Sequence, residues 1–196
     1  MNTEPLTSEA ILDAAEAALR RFGPAKTSVV DVARALEVSH GSVYRHFPSK
    51  AALREAVTAR WLERVSAPLE DVVARPGPAS SRLRDWVALL AATKQAIARD
   101  EPELFETFYQ IATGSREVAA VHVDHLADQA ARIVADGIAA GEFTEGDPAV
   151  LGRAVLHATA RFHHPALSRE WADPATTTAD LDAVLTLILH GLTGPE

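Results

Sequence analysis

VSHGSVYRHFPSK, residues 38–50, holds a glycine, two histidines, an arginine and a tyrosine within a few turns of chain. A catalytic site, a metal site or a surface that reads another molecule could each use such a set. Its local signals predict a short helix. Ser39 is a fitting N-cap, the spacing carries the helix to about His46, and Pro48-Ser49 resets the chain. Upstream, Ile11, Ala14, Ala15, Ala18, Leu19 and Phe22 share one face of a helix predicted over about 8–22, which Gly23-Pro24 ends. A second helix starts near Ser28, its N-cap, and buries Val29, Val32, Ala33 and Leu36. Ser49 caps a longer fourth helix carrying Leu53, Val57, Trp61 and Val65, which Pro68 is expected to end or kink.

Two short helices joined by a few residues and packed on a third form a helix-turn-helix. Val38, Val43 and Phe47 can face the same core as helix two, which leaves His40, Gly41, Ser42, Tyr44, Arg45 and His46 outward or at the rim. A helix studded with donors suits the DNA major groove, which admits an α-helix and displays base edges. Gly41 has no side chain, so the helix start can approach DNA and aim amides at phosphate. Ser49 and Lys50 open the next helix, a second place for phosphate to sit.

The run SVVDVARALEVSHGSVYRHFPSKAALREAV, residues 28–57, closely resembles the DNA-binding segment of the TetR (tetracycline-repressor-like) family, and the resemblance extends over roughly residues 8–60. It implies an all-α fold: an N-terminal three-helix helix-turn-helix domain, residues 1–50, a linking helix over 49–73, and a larger C-terminal domain, 74–196, that binds a ligand and dimerises. It implies a homodimer on a palindromic double-stranded DNA operator, most often a repressor released by a small-molecule effector, with no cofactor and no catalysis. Carried over by residue, His40, Gly41 and Ser42 lie at the base-facing start of the recognition helix, Ser39 joins the DNA-binding set as its cap, and Tyr44, His46 and Lys50 match phosphate-contacting positions. Arg45 can reach guanine or phosphate, and Ser28 matches a small hydroxyl residue capping helix two near the DNA backbone. Two residues depart from the pattern. Glu37 stands in the turn where relatives usually have glycine; a left-handed conformation there costs on the order of 1 kcal/mol and sets a negative charge beside the DNA face. Val30 stands where some relatives carry a base-reading polar residue.

The whole chain bounds these readings. Its 196 residues are 47% hydrophobic, ample for a packed core, and it has no cysteine, so disulfides, thiolate metal sites and cysteine nucleophiles are excluded. The formal net charge of −8 argues against a nucleic-acid partner until it is divided. Residues 1–65 carry nine Lys/Arg against eight Asp/Glu; residues 66–196 carry ten against nineteen. With no signal peptide or apolar span evident, a soluble cytoplasmic protein with no membrane partner is expected.

ARPGPASS, residues 74–81, reads as the clearest loop, followed by helices near 81–99, 102–112, 115–140, 148–163 and 178–192. Residues 163–174 join the last two, with room for a short helical turn. Trp86, Phe105, Phe108 and Tyr109 are core or, as the resemblance implies for these central helices, lining of a ligand cavity. Leu151, Ala154, Val155, Ala158 and Phe162 make one apolar stripe, and Leu181, Val184, Leu185, Ile188 and Leu192 another. Off-stripe Val150, Leu156, Leu187 and Leu189 make both helices apolar on more than one side, and in the family the last two helices pair between chains. Leu151, Val155, Phe162, Leu181, Leu185 and Ile188 are therefore the expected dimer interface.

His122, His125 and Asp128 recur three apart on a predicted helix, which sets a metal-binding or enzymatic use of the C-terminal histidines against a plain polar stripe; the plain stripe and no metal are expected. His163-His164 lies in a predicted interhelix loop, where a structural role is expected. A constitutive DNA-binding protein without an effector is the remaining alternative.

Overall fold

The structure, a computed structural model, describes residues 5–26 and 28–194. Helices α1 (Ser8–Lys26), α2 (Val29–Ala35), α3 (His40–His46), α4 (Lys50–Ala74), α5 (Ala79–Asp100), α6 (Pro102–Gly114), α7 (Arg116–Ala139), α8 (Pro148–Ala158) and α9 (Pro174–Thr193) follow in order, with 3-10 segments at Ala160–Phe162 and Pro165–Trp171. No strand occurs among the described residues. The chain forms two compact units: Met1–Leu62 with Glu101–Ala119, and Glu63–Asp100 with Ala120–Glu196. Compactness thus groups α6 with the N-terminal helices, a division that does not follow chain order.

In the first unit, α1, α2, α3, α4 and α6 supply Ile11, Leu19, Val32, Val43, Val57 and Phe108 to a common interior. Trp61 on α4 stacks on Phe108, with ring centroids 4.7 Å apart, and meets Phe105 edge-on at 6.3 Å. Arg60 clasps α4 to α1, donating to Asp13 at 2.7 Å, Glu16 at 3.1 Å and Glu9 at 3.2 Å. Regular geometry in α1 breaks at Gly23, whose φ of 70° lies in the left-handed region.

In the second unit, α4 continues past Pro68 to Ala74 instead of ending there. Proline forfeits one helical hydrogen bond. Leu69, Val72 and Val73 beyond it are buried, and that burial offsets the loss. The loop expected over 74–81 is shorter, because α5 begins at Ala79. Its first amides are satisfied from far along the chain: the Glu142 carboxylate accepts from the amides of Ala79 at 3.0 Å and Ser80 at 3.2 Å. Those amides hold the Glu142 carboxyl below the usual range. Helix α8 lies so close to α7 that a Cβ on Gly152 would sit 2.5 Å from the Ala131 nitrogen. It stops at Ala158, where the Thr159 hydroxyl turns back to the Val155 carbonyl at 2.8 Å. Helix α9 starts earlier than expected, with Asp173 as N-cap and proline at its first position.

Candidate nucleic-acid interface

Helix α3 is held from beneath and free above. Val43 is fully buried in the first unit, with Phe47 and Val38 partly covered beside it. Ser39 caps the helix by accepting from the Ser42 amide at 3.1 Å, and the two serine hydroxyls meet at 2.9 Å. Arg45 donates to the Ser42 hydroxyl at 3.2 Å, and His46 Nδ1 shares a 3.1 Å hydrogen bond with Ser8 on α1. Ser39, His40, Gly41, Tyr44, Arg45 and His46 are exposed, and Ser42 is half-buried. A Cβ on Gly41 would meet only the Ser39 hydroxyl, at 3.8 Å, so nothing inside the chain requires glycine there. Ser49 caps α4 by accepting from the Ala52 amide at 3.0 Å, which leaves Lys50 exposed at the first helical position. Among the described residues neither Arg45 nor Lys50 sits in an ion pair.

Ser28 plays a more local part. Its hydroxyl donates to Asp31 at 2.6 Å, its amide donates to the same carboxylate at 3.0 Å, and its oxygen accepts from the Asp31 amide at 3.2 Å. This is a capping box with Asp31 at its third position. Those hydrogen bonds hold the Asp31 carboxyl below its usual value. The pattern Ser28-x-x-Asp31 carried that signal, and the sequence reading took only its first half. Glu37 adopts φ +55°, the strained conformation considered for it, and is exposed; Val30 is exposed on α2.

The four aromatic pocket candidates are divided between the two units. Trp86 is buried in the second unit, where its indole donates to the Gln129 carbonyl at 3.1 Å; Gln129 in turn donates to Ser66 and Glu70. Phe105 and Phe108 lie in the first unit against Trp61, and Tyr109 is half-buried. None of the four lines the open cleft of about 310 Å³ between α4 and α6, which is walled by Ala51, Arg54, Glu55, Gln110 and Ile111.

Different side chains are unexplained by packing. Lys94 on α5, His122 on α7 and His163 after the Ala160–Phe162 turn are 6%, 9% and 5% exposed. Burial lowers the Lys94 ammonium to about 8. Burial first, and then the charge of Lys94, push His122 and His163 to about 3, so both rings are neutral near pH 7. Sequence reasoning missed Lys94 although a signal existed: it continues the buried face Leu83, Trp86, Val87, Leu90, Ala91 at helical spacing. The stripe of His122, His125 and Asp128 divides. His125 turns to Gln129 and Glu70, and Asp128 pairs with Arg132 at 3.2 Å. Among the described residues no group of three His, Cys, Asp or Glu could hold a metal ion, and no helix is long and apolar enough to cross a membrane.

The residues of the expected dimer stripe differ in how far their own unit covers them. Val155, Phe162, Leu181 and Leu185 are buried within the second unit, and Leu151 and Ile188 are half-buried. The i, i+3, i+4 periodicity found the face that covers the unit's own core. Exposed apolar positions are Val150, 63% exposed, and Leu187, 73% exposed, both off the stripes, together with the stripe members Ala154 and Ala158 on α8 and with Ala183 and Gly191 on α9.

Comparison with known proteins joins these parts. Across its length the chain is similar in fold to SmeT, the repressor of the Stenotrophomonas maltophilia multidrug efflux pump SmeDEF, at 24% identity over 95% of this chain and 90% of that one, with a TM-score of 0.65. It is similar to a TetR-family transcriptional regulator from Pectobacterium atrosepticum, at 21% identity over 96% and 95%, TM-score 0.67. It is also similar to the transcriptional regulator FadR of Bacillus subtilis in complex with stearoyl-CoA, at 16% over 95% and 100%, TM-score 0.61. Among curated protein sequences none matches significantly. Residues 11–57 match the bacterial regulatory proteins of the tetR family, and residues 79–185, more than half of the chain, match the tetracyclin repressor-like C-terminal domain. With the helix-turn-helix and the helical C-terminal region both accounted for, the chain belongs to the TetR family of DNA-binding transcriptional regulators.

Proposed function

We propose that the protein is a repressor that binds a palindromic operator as a homodimer and leaves it when a small molecule occupies the C-terminal unit. The observation that carries this reading is α3: a short helix anchored by Val43, with His40, Gly41, Tyr44, Arg45 and His46 on its open side. In this reading residues 1–50 form the DNA-binding part, residues 49–73 the linking helix and residues 74–196 the effector and dimer part. His40 and Ser42 read base edges; Tyr44, His46 and Lys50 meet phosphates; Arg45 serves either. Ser39 caps α3, and Ser28 aligns the start of α2 through Asp31. The spare room at Gly41 lets the DNA backbone approach the helix start.

The dimer forms through the open sides of α8 and α9, centred on Val150 and Leu187, with half-buried Leu151 and Ile188 at the margin. An isologous two-fold contact presents two copies of α3 to half-sites about 34–36 Å apart. The test is footprinting on the DNA upstream of the protein's own coding sequence. A protected palindrome with half-sites one helical turn apart is expected; protection of a single half-site, or none anywhere in that region, refutes the reading.

A further inference from the structure

We propose that the effector is a small organic acid, an apolar body bearing one carboxylate, whose anionic head is held by Lys94 and accepts a hydrogen bond from His122. This rests on reading the C-terminal unit as the effector domain, and it names the chemistry of that effector. The first support is position. Lys94 takes the next place on the buried face of α5 after Leu90 and Ala91, where an apolar residue belongs. Lysines at such places usually lead their ammonium out to water along a flexible stem. This one stays 6% exposed, and among the described residues no carboxylate pairs with it. A buried charge without a partner is among the most destabilising features a core can carry.

The second support is independent. His122 extends the buried face of α7 that continues through Leu126, Ala130 and Ile133, and its Nε2 is buried with no hydrogen-bond partner. Buried polar atoms of that kind are uncommon in finished cores and call for a group that is missing. His163 completes the cluster from a third element. The Thr159 hydroxyl gives its one proton to the Val155 carbonyl at 2.8 Å, so at 3.2 Å it accepts from His163 Nε2, which fixes that ring. Gln95, next to Lys94, donates to the Phe162 carbonyl at 2.9 Å and ties α5 to the turn before His163.

The chemistry of the set selects the ligand. A buried ammonium whose charge is felt at two neutral imidazoles repels a metal ion and attracts an anion. One positive charge balances a monoanion; a phosphate dianion would leave a negative charge unpaired in the interior. A carboxylate offers two acceptor oxygens, which an ammonium and one imidazole N–H can share. The body of the molecule is apolar because the residues continuing the α5 face from Lys94 are Leu90, Ala91, Val87 and Leu83.

The experiment is calorimetric titration of the full-length protein without DNA. The probes are straight-chain carboxylates from propanoate to dodecanoate, and phenylacetate, each beside its neutral primary amide. At least one acid is expected to bind about tenfold or more tightly than its amide. In Lys94→Met that preference disappears. At pH 8 the parent takes up roughly half a proton per acid bound, because the carboxylate returns Lys94 toward its ordinary value. The proton count is read on the parent protein and does not depend on the variant folding. If no acid in the series binds, if acids and amides bind alike, or if Lys94→Met keeps the preference, the proposal is overturned. Because no DNA is present, such a failure leaves the operator reading standing; release of the operator by a neutral compound would keep ligand response and discard the acid.

Discussion

In the first unit His40, Arg45 and His46 stand in solvent around a helix anchored by one valine, while in the second Lys94, His122 and His163 are buried with no acid to answer them. Both regions gather side chains that can bear positive charge. In the proposed reading the first meets a polyanion from outside, without disturbing the core, and the second meets a small molecule inside. The net charge of −8 hides both. Most of the acid excess falls in the second unit; exposed pairs there, such as Arg153–Asp124 and Arg84–Asp182, cancel in charge and contribute little to stability.

The largest effect is expected where the second unit shows apolar surface. Leu187→Arg places a charge on the open side of α9 and leaves the core untouched, so a folded monomer is expected. Losing the second half-site weakens operator binding by at least about a hundredfold, since linked sites gain that much from effective concentration. Leu185→Asp is the contrasting change. It buries an unpaired carboxylate in the unit's own core and should cost several kcal/mol, giving an unfolded or aggregated chain. Sedimentation with far-UV dichroism separates the two; a dimeric Leu187→Arg would remove this face from the interface.

Next in size is the buried charge itself. The Lys94 pKa is about 8 in the folded protein and near 10.5 unfolded, so between those values the unfolded chain binds more protons and stability rises with pH. Below pH 8 the penalty is fully present, up to about 3 kcal/mol. Lys94→Met should therefore raise the Tm at pH 7, and the gain should shrink as pH approaches 10.5. His122 and His163 act at the other end. Their folded values are depressed from 6.5 to about 3, so their stabilising contribution is present above pH 6.5 and lost as the pH falls toward 3. Melting curves across pH 4–11 test both limbs; a Lys94→Met gain that did not change with pH would mean that the lysine is not buried as charged.

Smaller effects belong to the exposed cations. Lys50→Ala should weaken binding to all sequences about tenfold and reduce the salt slope by roughly one unit, as one lost phosphate contact requires. His40→Ala should instead change which base is preferred, by about 1–3 kcal/mol at one position of each half-site. Binding to operator and scrambled DNA at several salt concentrations distinguishes them, and two variants with the same profile would break the division between positioning and reading.

The first unit was legible because its signals are local. Ser39 and Ser49 cap the helices that they precede, and the spacing of Val29, Val32 and Ala33 gives the face of α2 without knowledge of the rest. The second unit turns on contacts between distant residues. Glu142 caps α5 from 63 residues away, so the start of α5 could not be read from ARPGPASS alone. Lys94, His122 and His163 are far apart in sequence and are supplied by three separate elements, so nothing local joins them. The stripes of α8 and α9 were read correctly as apolar, yet periodicity cannot say whether a stripe meets its own unit or another copy. The histidine spacing on α7 shows the same limit: three residues at helical spacing share a face, but spacing does not say that their partners differ.

The smallest predicted effect lies at Glu37, where strain and charge coincide. Its φ of +55° costs an L-residue roughly 1–2 kcal/mol, which glycine avoids. Glycine also frees the unfolded chain, which takes back about 0.4–1 kcal/mol. Glu37→Gly should therefore stabilise by a few tenths to about 1 kcal/mol, a Tm rise of a few degrees. Glu37→Ala is the control, because it removes the same carboxylate and keeps the strain; no gain in Tm is expected from it. On DNA the two should behave alike, each binding slightly more tightly at low salt, since each deletes one negative charge near the phosphates. If alanine stabilised as much as glycine, the charge and not the backbone would be the source of the cost. If only glycine improved DNA binding, the turn would be setting the angle of α3 as well as joining it to α2.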